Sequence, residues 1–239
     1  MKWAIITGGA SGLGLELTNW YIENNYSVLI IDKLPIGNSS IKTETETLKY
    51  FQADISKLNE VNLITDKFAR LDKIDVFILN AFPRNFKLFW DFSEDEIINF
   101  SNVAYIHQLV LLNSVVRKMI HQKHGKIILI GSKSSFKGYS TGSLYCSLKM
   151  AYLGLYDSIS RELANIKSPV TVSMIHPDSF SDTFGSKHKN YEFVKKKILT
   201  KIKAISDGRT NRQHFALKLS SKIVLFINGI RQSINFFIR

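Results

Sequence analysis

The 239-residue chain is predicted to fold as one α/β domain, a doubly wound parallel sheet in the order 3-2-1-4-5-6 with helices on both faces. Three observations predict it. An apolar run, Trp3 to Ile6, stops at a glycine-rich turn, and an amphipathic segment follows from Leu13 to about Glu23. Further apolar runs of strand length recur at 27–31, 48–52, 75–79, 126–130 and 170–175, with polar or helical stretches between them. Asp32 closes the second run, placing a carboxylate at the carboxyl end of a strand.

The turn reads Thr7-Gly8-Gly9-Ala10-Ser11-Gly12-Leu13-Gly14. Gly8 permits the sharp reversal, and Gly12 leaves no Cβ between the backbone and a pyrophosphate. Gly14 lets the helix lie close to the sheet, with its first N–H groups and dipole facing the anion. Residues 33 to 47, rich in Gly, Ser and Thr, are expected as a surface connection. Asp54-Ile55 follows the third strand, and an Asp there also serves as a cap for a helix beginning near Ser56. The fourth strand ends in Leu79-Asn80-Ala81-Phe82. Glu94 to Gln122 reads as a long helical stretch, with Val103, Ile106, Val110 and Leu111 at helical spacing.

The fifth strand leads into Gly131-Ser132-Lys133-Ser134-Ser135, and Tyr145-Cys146-Ser147-Leu148-Lys149 then opens a helix running to about Ile166. The sixth strand is followed by His176-Pro177-Asp178-Ser179-Phe180-Ser181-Asp182-Thr183. Residues 184–208 are expected to cover a substrate, Arg209 to Ser221 reads as helical, and residues 209–239 form a basic-apolar tail. The tail is too short and too interrupted by Lys222, Arg231 and Arg239 to span a bilayer. Packing on the domain or on an oligomer partner is favoured for it over contact with an anionic membrane surface.

Composition bounds the partners. Thirty-two Lys and Arg against twenty Asp and Glu give +12, a balance that favours anionic ligands or reflects a solvated basic surface. No nucleic-acid reading motif accompanies the charge, so a nucleic-acid partner is not expected. Cys146 is the only cysteine, which fits a reducing compartment. With no apolar leader before the first strand, a cytoplasmic location is expected. His107, His121 and His124 have no carboxylates or thiolates at ligand spacing, so no metal is expected.

The spacing T-G-x-x-x-G-x-G, Asp32, Tyr145 and Lys149 four apart, and Ser132 thirteen before that Tyr resemble the short-chain dehydrogenase/reductase family, of Rossmann-type fold, over about residues 3 to 183. The resemblance implies an oxidoreductase moving a hydride between a nicotinamide and a carbonyl or secondary alcohol. It makes Ser132, Tyr145 and Lys149 the catalytic set. It places Thr7, Gly8, Ser11, Gly12, Leu13, Gly14, Asp32, Asp54, Ile55, Asn80, Ala81, Tyr145, Lys149, Pro177, Phe180 and Thr183 around the cofactor. Asp32 would accept the ribose hydroxyls and repel a 2′-phosphate, so NAD is expected over NADP. Family dimers and tetramers form through the helices after strands four and five, and here Val103, Ile106, Val110, Tyr152, Leu155 and Ile159 supply the apolar faces of an expected homodimer or homotetramer.

In this chemistry the Lys149 ammonium, one helical turn from Tyr145, favours the phenolate, while Ser132 holds the carbonyl oxygen. Three departures stand out. Phe82 replaces a glycine, Ala104 stands where the family carries a helix-bending Asn that holds a relay water, and Pro177-Asp178 replaces Pro-Gly. They motivate a second reading, a low-turnover nucleotide sensor or scaffold. Phe82, Arg84, Phe86, Phe89 and Trp90 are expected along one pocket wall. The basic content beyond Lys187 favours a sugar phosphate or nucleotide-sugar as substrate.

Overall fold

A computed structural model of the protein describes residues 1–39, 41–177, 191–208 and 214–216. Its centre is a parallel sheet whose strands carry the predicted pattern. They are β1 (Lys2–Thr7), β2 (Tyr26–Asp32), β3 (Leu48–Gln52), β4 (Val76–Leu79), β5 (Lys126–Ile130), β6 (Thr171–His176) and β7 (His214–Ala216). The order is β3-β2-β1-β4-β5-β6-β7, every pair parallel. The central strands are buried on both faces, which is why they read as unbroken apolar runs rather than alternating ones.

Helices cover the two faces. On one side lie α1 (Gly12–Glu23) and α6 (Tyr191–Ser206); on the other lie α2 (Leu58–Arg70), α4 (His107–His121) and α5 (Ser143–Asn165). A short helix, α3 (Glu94–Ser101), begins at a capping box formed by Ser93 and Glu96. It runs into α4 through a single π-helical turn, Asn102–Ile106. The long helical stretch is therefore present but interrupted, with Ala104 in the middle of the π-helical turn.

Two expectations are corrected. The helical reading of residues 209 to 221 fails at His214–Ala216, which form β7 against β6 in the register Met174 to His214 and His176 to Ala216. The open edge of β6 offers unpaired backbone groups, and satisfying them outweighs a weak local preference in three residues. The substrate-covering segment is, from Tyr191 onward, the crossover helix between β6 and β7. Its Ile198, Ile202 and Ile205 are buried in the sheet face beside α1. The Lys126 ammonium caps it by donating to the carbonyls of Ile205 (2.9 Å) and Ser206 (2.6 Å). The tail from Leu217 on lies outside the described residues, as do Asp178, Phe180 and Thr183.

Candidate active site

The glycine turn joins β1 to α1. Gly12 sits at φ +52 with no atom within 4 Å of where a Cβ would stand, so the backbone there faces open space. A Cβ on Gly14 would overlap the Gly8 carbonyl and the Asn80 side chain, so only glycine lets α1 begin this close to the turn. Ser11 is the N-cap of α1, its side chain makes no cap bond, and the first turn carries no acidic residue. The leading amides of α1 are thus free of a side-chain acceptor, an arrangement suited to an anion.

Asp32 closes the turn from the second strand. Its carboxylate accepts the N–H groups of Ala10 and Leu34, both at 3.1 Å. Its charge, added to burial, helps push the Tyr50 phenol up to about 12. Asp54 makes a local turn, accepting from Ser56 N–H at 2.9 Å, ahead of α2. Burial opposes ionisation of Asp54, but the bonds from Ser56 and the charges of Lys33 and Lys57 prevail and lower its pKa. Pro177 is buried just past the end of β6.

Asn80 and Thr7 stitch the two central strands together. The Asn80 amide donates to the carbonyls of Thr7 and Gly8, both at 3.0 Å, and the Thr7 hydroxyl accepts from the N–H of Asn80 and of Ala81. This stitching fixes the path of residues 80 to 82 and so aims Phe82. The Phe82 ring turns inward, with its centroid 3.7 Å from the Lys149 ammonium and 5.1 Å from the Tyr145 ring. The wall predicted from this loop is consequently divided. Phe86 flanks Tyr145 at 5.4 Å, and Phe89 and Trp90 point to solvent, 56% and 77% exposed. Tyr139 extends the aromatic side from the other loop, 6.3 Å from Phe86.

The three predicted catalytic side chains converge here. Ser132 follows β5, and its hydroxyl is engaged with the Ser134 N–H and hydroxyl, both at 3.1 Å. Tyr145 and Lys149 share one face of α5. Lys149 is 2% exposed and donates to the Ile130 carbonyl at 2.7 Å. Burial, with the nearby Arg84 charge, lowers its pKa to about 7. Burial raises Tyr145, and Ser132 and Arg84 only partly oppose this. The expected easing of the Tyr145 proton by Lys149 does not appear in the protein alone: the groups that lower it are Ser132 and Arg84, and desolvation of the phenol prevails.

The contacts of three polar residues were not foreseen from the sequence. His107 Nδ1 meets the Ile55 carbonyl at 2.6 Å, and the adjacent Gln108 donates to the Ala81 carbonyl at 2.9 Å. Together they tie the start of α4 to both loops expected around the cofactor. His176 is buried with Nδ1 3.0 Å from the Ser132 carbonyl, holding the loop that carries Ser132. The available signal was polarity inside apolar runs. Among the described residues no His, Cys, Asp or Glu cluster forms a metal site.

Comparison with known proteins identifies the family. The family profile described as short chain dehydrogenase matches residues 2–192. The 3-oxoacyl-[acyl-carrier-protein] reductase FabG of Buchnera aphidicola subsp. Baizongia pistaciae is 31% identical over 185 residues, covering 74% of this chain and 72% of that protein. Dehydrogenase RED2 of Cochliobolus heterostrophus is 27% identical over 160 residues, covering 66% of this chain, which spans 60% of that relative's length. In architecture the chain is similar to the bulky-bulky ketone specific alcohol dehydrogenase of Comamonas testosteroni, with a TM-score of 0.81 at 17% identity over 100% of this chain and 95% of that one. A nucleotide-type glycine turn on a parallel sheet, the matched family profile and the Ser132, Tyr145 and Lys149 constellation together place the chain in the short-chain dehydrogenase/reductase family of oxidoreductases.

Proposed function

We propose that the protein binds NAD(H) across the carboxyl ends of β1 and β4 and interconverts a carbonyl compound and its secondary alcohol, with Tyr145 exchanging the proton. One observation carries this reading. An unbroken chain of contacts links the glycine turn to the reactive group, from Gly8 through Asn80 and Ala81 to Phe82 and on to Lys149. Cofactor and proton donor are thereby held on one scaffold.

The open backbone at Gly12 and the uncapped amides of α1 suit the pyrophosphate, and Thr7, Ser11, Leu13 and Gly14 complete that cradle. Asp32 is set for the adenosine ribose and against a 2′-phosphate, which favours NAD over NADP. Asp54, Ile55, Asn80, Ala81 and Pro177 line the rest. The bound nicotinamide supplies or accepts the hydride. The residues do the remainder: Ser132 holds the substrate oxygen, Tyr145 gives or takes its proton, and Lys149 supplies positive charge one helical turn away.

Arg84 beside Tyr145 favours an anionic substrate, and the exposed rings of Phe86 and Tyr139 favour one with a flat or apolar part. A sugar phosphate or nucleotide-sugar is one such class; a 3-oxoacyl-[acyl-carrier-protein], the substrate in the Buchnera relative's name, is another. The reading includes a cytoplasmic location and a homo-oligomer built on α4 and α5.

A thermal-shift panel of NAD(H) and NADP(H), followed by turnover assays over phosphorylated sugars and 3-oxoacyl thioesters, tests it. Larger stabilisation by NADH than by NADPH, together with turnover, is the expected result. Dinucleotide binding without turnover on any carbonyl would replace the enzyme reading by the sensor one.

A further inference from the structure

We propose that Phe82 is a positioning residue for Lys149: its ring seals the ammonium inside the domain and holds it between the Ile130 carbonyl and the Tyr145 ring. The catalytic meaning of this rests on the role proposed above for Lys149, but the geometry stands apart from it.

The Lys149 ammonium lies 3.7 Å from the Phe82 centroid, inside the range where the negative face of a ring attracts a cation. Its hydrogen bond goes to the Ile130 carbonyl at the end of β5. The Phe82 ring meets Tyr145, Tyr152 and Phe100 edge-on, with centroids 5.1, 6.1 and 6.1 Å away. It is thus clamped by the same helix that carries the lysine. The groups facing Lys149 are Tyr145 and Tyr152 on its own helix, with Tyr105 behind Tyr152 from the π-helical turn, Arg84 from the loop after β4, and the Ile130 carbonyl from β5. Among these named neighbours of the ammonium there is no carboxylate, and of the three rings that face it Phe82 is the nearest.

Ala104 is fully buried in a small cluster with Phe92, Phe100 and Leu144, and Phe82 packs against that cluster. The Ala104 carbonyl, at the centre of the π-helical turn, accepts the Tyr152 hydroxyl at 2.9 Å. The Phe82 ring, held against this cluster, fills the space beside Lys149.

The ring acts on Lys149 in two opposed ways. Excluding water disfavours the ammonium, and burial is the dominant influence on this group; the π face favours the ammonium. Two substitutions separate the effects. Phe82→Gly opens the box to water, whereas Phe82→Leu keeps an apolar cover without a π face.

The test follows the Nζ resonance of Lys149 against pH in protein labelled with ¹³C and ¹⁵N at lysine, assigned by its loss in Lys149→Arg. The unsubstituted protein is expected to titrate near pH 7. Phe82→Gly is expected to raise the midpoint by about one pH unit or more, a tenfold gain in proton affinity, and Phe82→Leu to lower it. A purely structural role for Phe82 would move the unfolding temperature and leave the midpoint in place. An unchanged midpoint in a folded Phe82→Gly overturns the proposal; should that variant not fold, an unchanged midpoint in Phe82→Leu does so. The titration uses neither cofactor nor substrate, so failure to find turnover would sink the proposed activity and leave this result standing.

Discussion

At the scale of single residues, Tyr145 carries the sharpest expectation. Tyr145→Phe keeps the ring that Phe82 and Phe86 contact and removes only the hydroxyl. Turnover should fall by about 10²–10⁴-fold, the range for a positioned acid–base group, while the NADH dissociation constant measured by calorimetry stays within error. Asp32 is tested through its cofactor. Asp32→Ala should weaken NADH by about 1–3 kcal/mol, the cost of unmade buried hydrogen bonds, and should weaken NADPH much less because a repulsive charge goes with it. Part of any loss of stability will come from the Ala10 and Leu34 amides that Asp32 now satisfies. Lys149 predicts a pH dependence with a definite sign. Its pKa is about 7 when folded, below the ordinary 10.5 of the unfolded chain. Between those values the unfolded state binds more protons, so this site makes stability rise with pH, by at most about 1.4 kcal/mol per unit. Below pH 7 both states are protonated and the burial penalty is fully present. Denaturant melts should show the unsubstituted protein gaining on Lys149→Met between about pH 7 and pH 10.

At the scale of elements, the π-helical turn between α3 and α4 is the informative feature. Ala104→Asn adds volume to a site of 0% exposure already filled by Phe82, Phe100 and Leu144. It should destabilise the protein by about 1–3 kcal/mol, the usual cost of overpacking, read as a lower denaturant midpoint. What was legible in the sequence follows the same division. The unit β1, glycine turn and α1 was readable because its meaning is local: strand, turn and helix are contiguous and each glycine answers to backbone a few residues away. The shared face of Tyr145 and Lys149 was readable as spacing, since residues four apart on a helix must lie on one side. The direction of the Phe82 ring was not, because it depends on a cluster of Phe92, Phe100, Ala104 and Leu144 brought together by the fold and on Asn80 stitching the loop to Thr7. Tyr152 was expected on the outer face of α5, yet it is 1% exposed and spends its hydroxyl on the Ala104 carbonyl. A π-helical turn has no sequence signature comparable to a cap, and without it that carbonyl would not be predicted to need a donor. β7 was missed because three residues carry no periodicity and owe their conformation to the free edge of β6.

At the scale of the whole molecule, one outer surface remains apolar. Leu109, Val110, Val116 and Ile120 of α4 and Leu155 and Ile159 of α5 line an open groove of about 620 Å³ on the side away from the sheet. Val110 and Ile120 are 36% and 37% exposed. A homo-oligomer through this groove would bury that surface, as the proposed assembly requires. Val110→Asp should lower the mass measured by light scattering at micromolar concentration, with the unfolding profile of the separated subunit still cooperative; an unsubstituted protein that is already a monomer removes the assembly from the proposal. The same groove depends on the π-helical turn at Asn102–Ile106. Such a turn is, in effect, one residue spliced into an α-helix. Excising one residue there would heal the hydrogen-bond ladder and rotate everything downstream by about 100° about the helix axis, the angular step of 3.6 residues per turn. His107 and Gln108 would swing off the Ile55 and Ala81 carbonyls, and the stripe through Val110 would turn away from α5. One inserted residue thus acts as the phase setting of the domain, keeping the contacts to the Ile55 and Ala81 loops on one side of α4 in step with the groove-lining face on the other.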